Sequence, residues 1–188
     1  MLSLVVYSIL LLIYLIVLWL TPAREPAKED QQPVGESDFT YIVQGTGLFW
    51  FISLILPYIT PSLNFFEPLY WVIVGLILSL MGTAIRMIAI RTLGDFFTYE
   101  LCIRKEHTII QHGLYKYIRH PSYTGSLFEV IGMMVVARSL IGLLVFLAAA
   151  GLLFKIRIER EERMLREEFG VSYIEYSKRT KRLIPWVF

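Results

Sequence analysis

Two stretches of the 188-residue chain carry most of its ionisable and hydrogen-bonding chemistry. The first, HGLYKYIRHPSY at 112–123, gathers two histidines, a lysine, an arginine, three tyrosines and a proline into twelve residues. The second, RIEREERML at 157–165, contributes Arg157, Glu161 and Glu162. His107, His112 and His120 are candidates for acid–base groups or metal ligands. Their spacing is not that of a tight ligand pair, and the single cysteine supplies no thiolate cluster, so no metal site is expected. Tyr115, Tyr117 and Tyr123 offer flat π faces with hydroxyl tips, suited to an adenine ring or a cation. Arg157 and Glu161 stand at i and i+4, the spacing of a plain surface pair contributing about 0.2–0.5 kcal/mol. A purely interfacial reading also fits the first stretch, with Tyr and His at headgroup level and Lys116 and Arg119 touching lipid phosphate.

The elements that must position these groups are greasy. The chain is 56% hydrophobic, only 18% charged, and has a mean hydropathy of +0.59. Its apolar residues fall in blocks of the length a helix needs to cross a bilayer. Five spans are expected, at 2–20, 41–60, 69–85, 123–137 and 139–154, the last two forming a tight hairpin around Arg138 and Ser139. The fold class is therefore all-α integral membrane. Residues 21–40 are polar and proline-rich, a solvated loop. Pro121 disfavours a helical conformation at His120, so the chain should turn there. Beyond Lys155 the last span continues as a charged helix to Phe169, with Ile158, Leu165 and Phe169 as an apolar stripe. At 1.5 Å per residue it would be about 45 Å long. Its extra turns must then stand beside the 91–122 region and enclose a cavity lined by Tyr, His, Arg and Glu. Of the 18 Lys and Arg, 17 fall on one side of this arrangement. Basic loops are cytoplasmic, so the N-terminus is expected outside, with both polar stretches and the C-terminus inside. The net charge of +2 gives no reason to expect a nucleic-acid partner, and Cys102 reads as a small apolar filler.

Four pieces of sequence, in order, carry a resemblance. They are H-x-x-x-x-x-G-x-Y-x-x-x-R-H-P-x-Y-x-G (His107 to Gly125), R-I-x-x-E-E-x-x-L (Arg157 to Leu165), F-G-x-x-Y-x-x-Y (Phe169 to Tyr176), and Ile184-Pro185. Together they resemble the isoprenylcysteine carboxyl methyltransferase family, in a prokaryotic-type form, within a wider group that includes phospholipid N-methyltransferases. The resemblance covers 86–188, which would be the catalytic core of a single membrane domain spanning 1–188, with three N-terminal spans in 1–85. It implies S-adenosyl-L-methionine as cofactor and a lipophilic small molecule or prenylated protein or peptide as substrate, reached sideways from the membrane lipid. Family cofactor contacts fall on Glu100, His107, Thr108, Ile109, Ile110, Tyr115, His120, Pro121, Ser122, Tyr123 and Glu161, and the arginine for the substrate carboxylate on Arg157. Two departures stand out: T-I-I at 108–110 where relatives have T/S-L-V, and Glu100 where relatives can have Gln.

The residues agree with that chemistry. A carboxylate acceptor is already ionised near neutral pH, so methyl transfer needs no strong general base, and none is evident. Alignment and exclusion of water can contribute on the order of 7–11 kcal/mol. Arg157 suits a bidentate grip on a carboxylate and would repel an ammonium acceptor; in an empty site it would pair with Glu161. The competing readings are a phospholipid or other lipid methyltransferase, an NADPH-dependent sterol-type membrane reductase with a related R-H-P-x-Y pattern, and a non-catalytic adaptor. Glu129, inside the fourth span, is either functional or a hydrogen-bonding group of the helix bundle.

Overall fold

A computed structural model describes residues 69–98 and 101–184, with positions 5, 8–10, 12, 13, 15 and 16 near the N-terminus. The second expected span, most of the first, and Glu100 lie outside the described residues. Four α-helices follow in the chain from residue 69: α1 (Leu69–Leu93), α2 (Pro121–Val136), α3 (Leu140–Phe169) and α4 (Val171–Arg179), with 3-10 turns at Gly94–Phe96 and Gly113–Lys116.

Two of these, α1 with its 3-10 extension (28 residues) and α3 (30 residues), are long and apolar enough to cross a membrane. In α1 the usual arrangement of a soluble helix is inverted. Small or polar residues (Gly75, Ser79, Gly82) are buried, while Ile73, Ile77, Leu80 and Ile88 point outward. Without water there is no hydrophobic gain in hiding large side chains, and close backbone packing of small ones takes over. The partner is α2, running antiparallel. A Cβ on Gly75 would stand 2.6 Å from the Gly132 carbonyl oxygen, and one on Gly125 2.7 Å from that of Gly82, so both helices need glycine where they cross.

Polar groups tie the same seam. Thr83 Oγ1 donates to Glu129 Oε1 at 2.7 Å, and Arg86 Nη1 to Ser126 Oγ at 3.4 Å. Glu129, 1% exposed, thus bonds within the bundle. Below it Val130, Met133, Met134 and Val136 pack around Leu10. The hairpin expected between the fourth and fifth spans has its short joint, where Arg138 takes φ +62° and the Ser139 hydroxyl caps α3 through the Gly142 N–H at 3.0 Å. Yet α2 packs mainly on α1, not α3. The glycine seam outcompetes sequence proximity.

The chain does turn at His120 (φ −123°, ψ 57°), with Pro121 as first residue of α2, where its missing N–H costs nothing. From Leu140, α3 runs unbroken to Phe169, and Gly170 (φ +51°) redirects the chain into α4. The tail then comes back along the turn: Arg119 N–H bonds the Lys181 carbonyl at 2.8 Å, His120 N–H that of Arg182 at 3.0 Å, and Lys181 N–H that of Tyr117 at 3.1 Å. Thr124 Oγ1 adds a bond to the Leu183 carbonyl at 2.7 Å.

Candidate active site

A cavity opens where the segment after α1, the start of α2, the upper part of α3 and α4 converge. Its wall takes His107, Thr108, Ile109 and Ile110 from the loop, Tyr115 from the second 3-10 turn, His120, Ser122 and Tyr123 from α2, and Arg157 and Glu161 from α3. Pro121 is buried and shapes the bend without lining the cavity. The wall also includes residues to which no contact was assigned: Arg86 in the last third of α1, Phe96, Phe97 and Cys102 after it, Ser126 from α2 and, from the F-G-x-x-Y-x-x-Y motif, Phe169 on α3 and Tyr173 and Tyr176 on α4. His112 and Tyr117 are exposed instead.

The polar centre of the cavity is a relay. Arg157 Nε donates to the Tyr123 hydroxyl at 2.7 Å, and that hydroxyl donates to Glu161 Oε2 at 2.7 Å. Arg157 and Glu161, expected to pair in an empty site, are joined through the phenol between them. The Tyr123 ring is fixed by stacking on His120 (centroids 5.4 Å apart) and on Phe154 (5.5 Å). A second aromatic unit stands across the loop: His107 stacks on Phe96 at 4.6 Å and meets the edge of Phe169 at 5.6 Å. Burial lowers the His107 pKa more than Glu161 and Glu168 raise it, which favours the neutral imidazole. Its Nδ1 is buried and has no hydrogen-bond partner among the described residues. Burial pushes the Tyr115 phenol well above its usual range, and the Glu161 carboxylate pushes it further, so it stays a neutral donor.

Behind the relay lies a second charged group. Glu162 is 1% exposed and receives Arg119 Nε at 2.8 Å, Arg182 Nη2 at 2.9 Å and Arg166 Nη2 at 3.1 Å, with His120 Nε2 at 3.4 Å. Burial alone would raise its pKa, but the nearby His120 imidazole and the hydrogen bonds from Arg182 and Arg119 outweigh that and hold it far below the usual carboxylate range. Arg119 also donates to the carbonyls of Ser177 and Thr180, and the Tyr176 hydroxyl to that of Tyr115 at 2.8 Å. The RHP turn, α3 and the tail are thereby bolted into one wall.

The cavity thus offers two guanidiniums for an anion, a carboxylate for a cation, an orphaned imidazole nitrogen and several aromatic faces. That donor set suits a zwitterionic ligand with a ring system beside an acidic one.

Known proteins resemble the chain in sequence and in overall fold. The sequence model of the isoprenylcysteine carboxyl methyltransferase family matches residues 73–167. A probable protein-S-isoprenylcysteine O-methyltransferase of Oryza sativa subsp. indica is 34% identical over 138 residues, covering 71% of this chain and 72% of that one. Protein-S-isoprenylcysteine O-methyltransferase A of Arabidopsis thaliana is 35% identical over 138 residues, covering 71% and 70%. A solved structure of the eukaryotic intramembrane Ras methyltransferase ICMT superposes with a TM-score of 0.66 at 28% identity, covering 82% of this chain. The chain spans 55% of the length of that protein.

Proposed function

The chain belongs to the isoprenylcysteine carboxyl methyltransferase family, carboxyl O-methyltransferases by name, and from that premise we propose that it methylates the carboxylate of a lipophilic, isoprenylcysteine-like acceptor with S-adenosyl-L-methionine. The observation that carries this reading is the Arg157–Tyr123–Glu161 relay, which sets an anion-binding and a cation-binding group on either side of one phenol.

The residues present fit the cofactor. Glu161 would take its ammonium, the buried His107 Nδ1 would find a polar partner, and the rings around Tyr115, Phe96 and Tyr123 would flank the nucleoside. Thr108, Ile109, Ile110, His120 and Ser122 would complete its wall, with Pro121 behind them. When bound, the cofactor supplies a methyl group on a sulfonium, electrophilic without further activation. Everything else falls to the chain. Arg157 and Arg86, from different helices, hold the acceptor carboxylate and keep it ionised. Tyr123 fixes the direction of the Arg157 side chain by accepting from Nε. The aromatic walls exclude water, so the bound carboxylate keeps its nucleophilic lone pair. Transfer of that methyl to an already ionised carboxylate oxygen, leaving the sulfur as a neutral thioether, would require no proton to be removed, which is why no group in the cavity need serve as a base.

The acceptor reaches the cavity from the membrane: Arg86 and Ser126 lie on the seam of α1 and α2, where the polar wall gives way to apolar helix. The site and the C-terminus face the cytoplasm, as the basic residues argue. Two arginines disfavour an amine acceptor such as a phospholipid headgroup. Calorimetric titration of the full chain in lipid nanodiscs tests the cofactor: heat of binding with S-adenosylmethionine and none with NADPH is expected, and the reverse would overturn the reading.

A further inference from the structure

The polar motif divides by side. Tyr115 and His120 face inward, whereas Lys116 and Tyr117 between them are exposed, Tyr117 at 54%, with the Lys116 ammonium 5.8 Å from the Tyr117 ring centroid. The tail lies alongside. Lys181 is exposed and its N–H is bonded to the Tyr117 carbonyl at 3.1 Å; Lys178 and Arg179, also exposed, close α4 just before it, and Arg179 reaches Gln111 at 3.2 Å. The Leu183 carbonyl is held by Thr124 in the first turn of α2, which sets the following residue, Ile184 (44% exposed), at the level where α2 begins its apolar run. Neither crossing segment, 107–128 nor 176–188, contains an acidic residue. The exposed carboxylates that flank these segments in sequence are Glu106, just before the first, and Glu175, on α4; Glu161 and Glu162 are engaged inward.

Lysines beside an amphipathic ring and an aliphatic side chain, at the foot of a helix in the bilayer, match the chemistry of a leaflet surface: phosphate outside, acyl chain beneath. We propose that the exposed face of the crossing formed by Lys116, Tyr117, Lys181 and Ile184 binds the headgroups of anionic phospholipids. Lys116 and Lys181 meet the phosphates, Tyr117 sits at headgroup depth, and Ile184 reaches the upper acyl region. An acidic peptide in solution would use the lysines but have no reason to meet Ile184 at the start of the apolar run of α2. The proposal rests on α1 and α3 crossing a membrane and not on methyl transfer, so either can fail alone.

The test is retention of lipid by the full chain in detergent micelles, measured by native mass spectrometry with phosphatidylglycerol and phosphatidylcholine in competition. Wild-type protein should retain phosphatidylglycerol, and raising the salt should remove it selectively. K116Q/K181Q should weaken that retention about fivefold per lysine, leave phosphatidylcholine unaffected, and leave S-adenosylmethionine titration unchanged. K116R/K181R should behave as wild type, which separates lost charge from lost folding. Equal retention of the two lipids, an unchanged K116Q/K181Q variant, or tighter binding of a polyglutamate peptide than of phosphatidylglycerol would overturn the proposal.

Discussion

Glu161 and Glu162 are neighbours in sequence, about 100° apart around α3, and they meet opposite surroundings. Glu161 turns into the cavity, where its described hydrogen bond comes from one phenol, itself gripped by Arg157. Glu162 turns into the wall, 1% exposed, among three arginines and a histidine. One carboxylate is placed to meet a ligand and the other to hold together the parts that form the cavity. The same residue type serves binding or architecture according to which neighbours share its burial.

The largest effect that would test this contrast is on stability. Glu162→Ala leaves Arg119, Arg166 and Arg182 around an empty site, and breaking one side of a buried ionic network costs about 3–5 kcal/mol. A thermal unfolding midpoint unchanged from wild type would remove Glu162 from its structural role. Acid should reveal the same group. Because its carboxyl is held below the ordinary value of 4.5, its contribution is complete above about pH 4.5 and is lost as the pH falls towards its lowered folded-state value. Wild-type melting temperature should therefore drop more steeply below that pH than that of Glu162→Gln.

Next comes the cavity side. Arg157→Ala should lower kcat/KM for a carboxylate acceptor about 100-fold to 1000-fold, on the scale of removing one aligned charge-stabilising donor. Cofactor binding should persist. Glu161→Gln should weaken S-adenosylmethionine binding by about tenfold to 100-fold, the scale of a hydrogen bond to a charged group, with its unfolding midpoint near wild type. If Glu161→Gln destabilised the fold as much as Glu162→Ala, the division between the two carboxylates would collapse. The smallest effect belongs to Tyr123→Phe. It removes the phenol from between Arg157 and Glu161 and should slow turnover about fivefold without abolishing it.

Much of the cavity side was legible in the sequence. The G-x-Y-x-x-x-R-H-P-x-Y spacing and the later Arg157 and Glu161 are local patterns, and ten of the twelve residues that the family resemblance implied line one cavity. The turn at Pro121 followed from backbone sterics alone. The wall was not legible. Arg119 and Glu162 are 43 residues apart, and Arg119 and Thr180 are 61 apart; no local spacing encodes such pairings. Nor did the hairpin pattern at 123–154 reveal that α2 packs on α1. The sequence does carry a signal for that: Gly75 and Gly82, and Gly125 and Gly132, recur every seven residues, the mark of two helices crossing at close range. Arg86 entered the cavity by the same route, carried there by the glycine seam.

Carboxyl methylation is tested most directly by transfer of radiolabelled methyl from S-adenosylmethionine to N-acetyl-farnesylcysteine by the full chain in lipid nanodiscs, with phosphatidylethanolamine as a competing acceptor. Base-labile label on the prenylcysteine, a methyl ester, is expected, and its loss in Arg157→Ala at retained cofactor binding. Label on the phospholipid amine, or an Arg157→Ala variant as active as wild type, would contradict it.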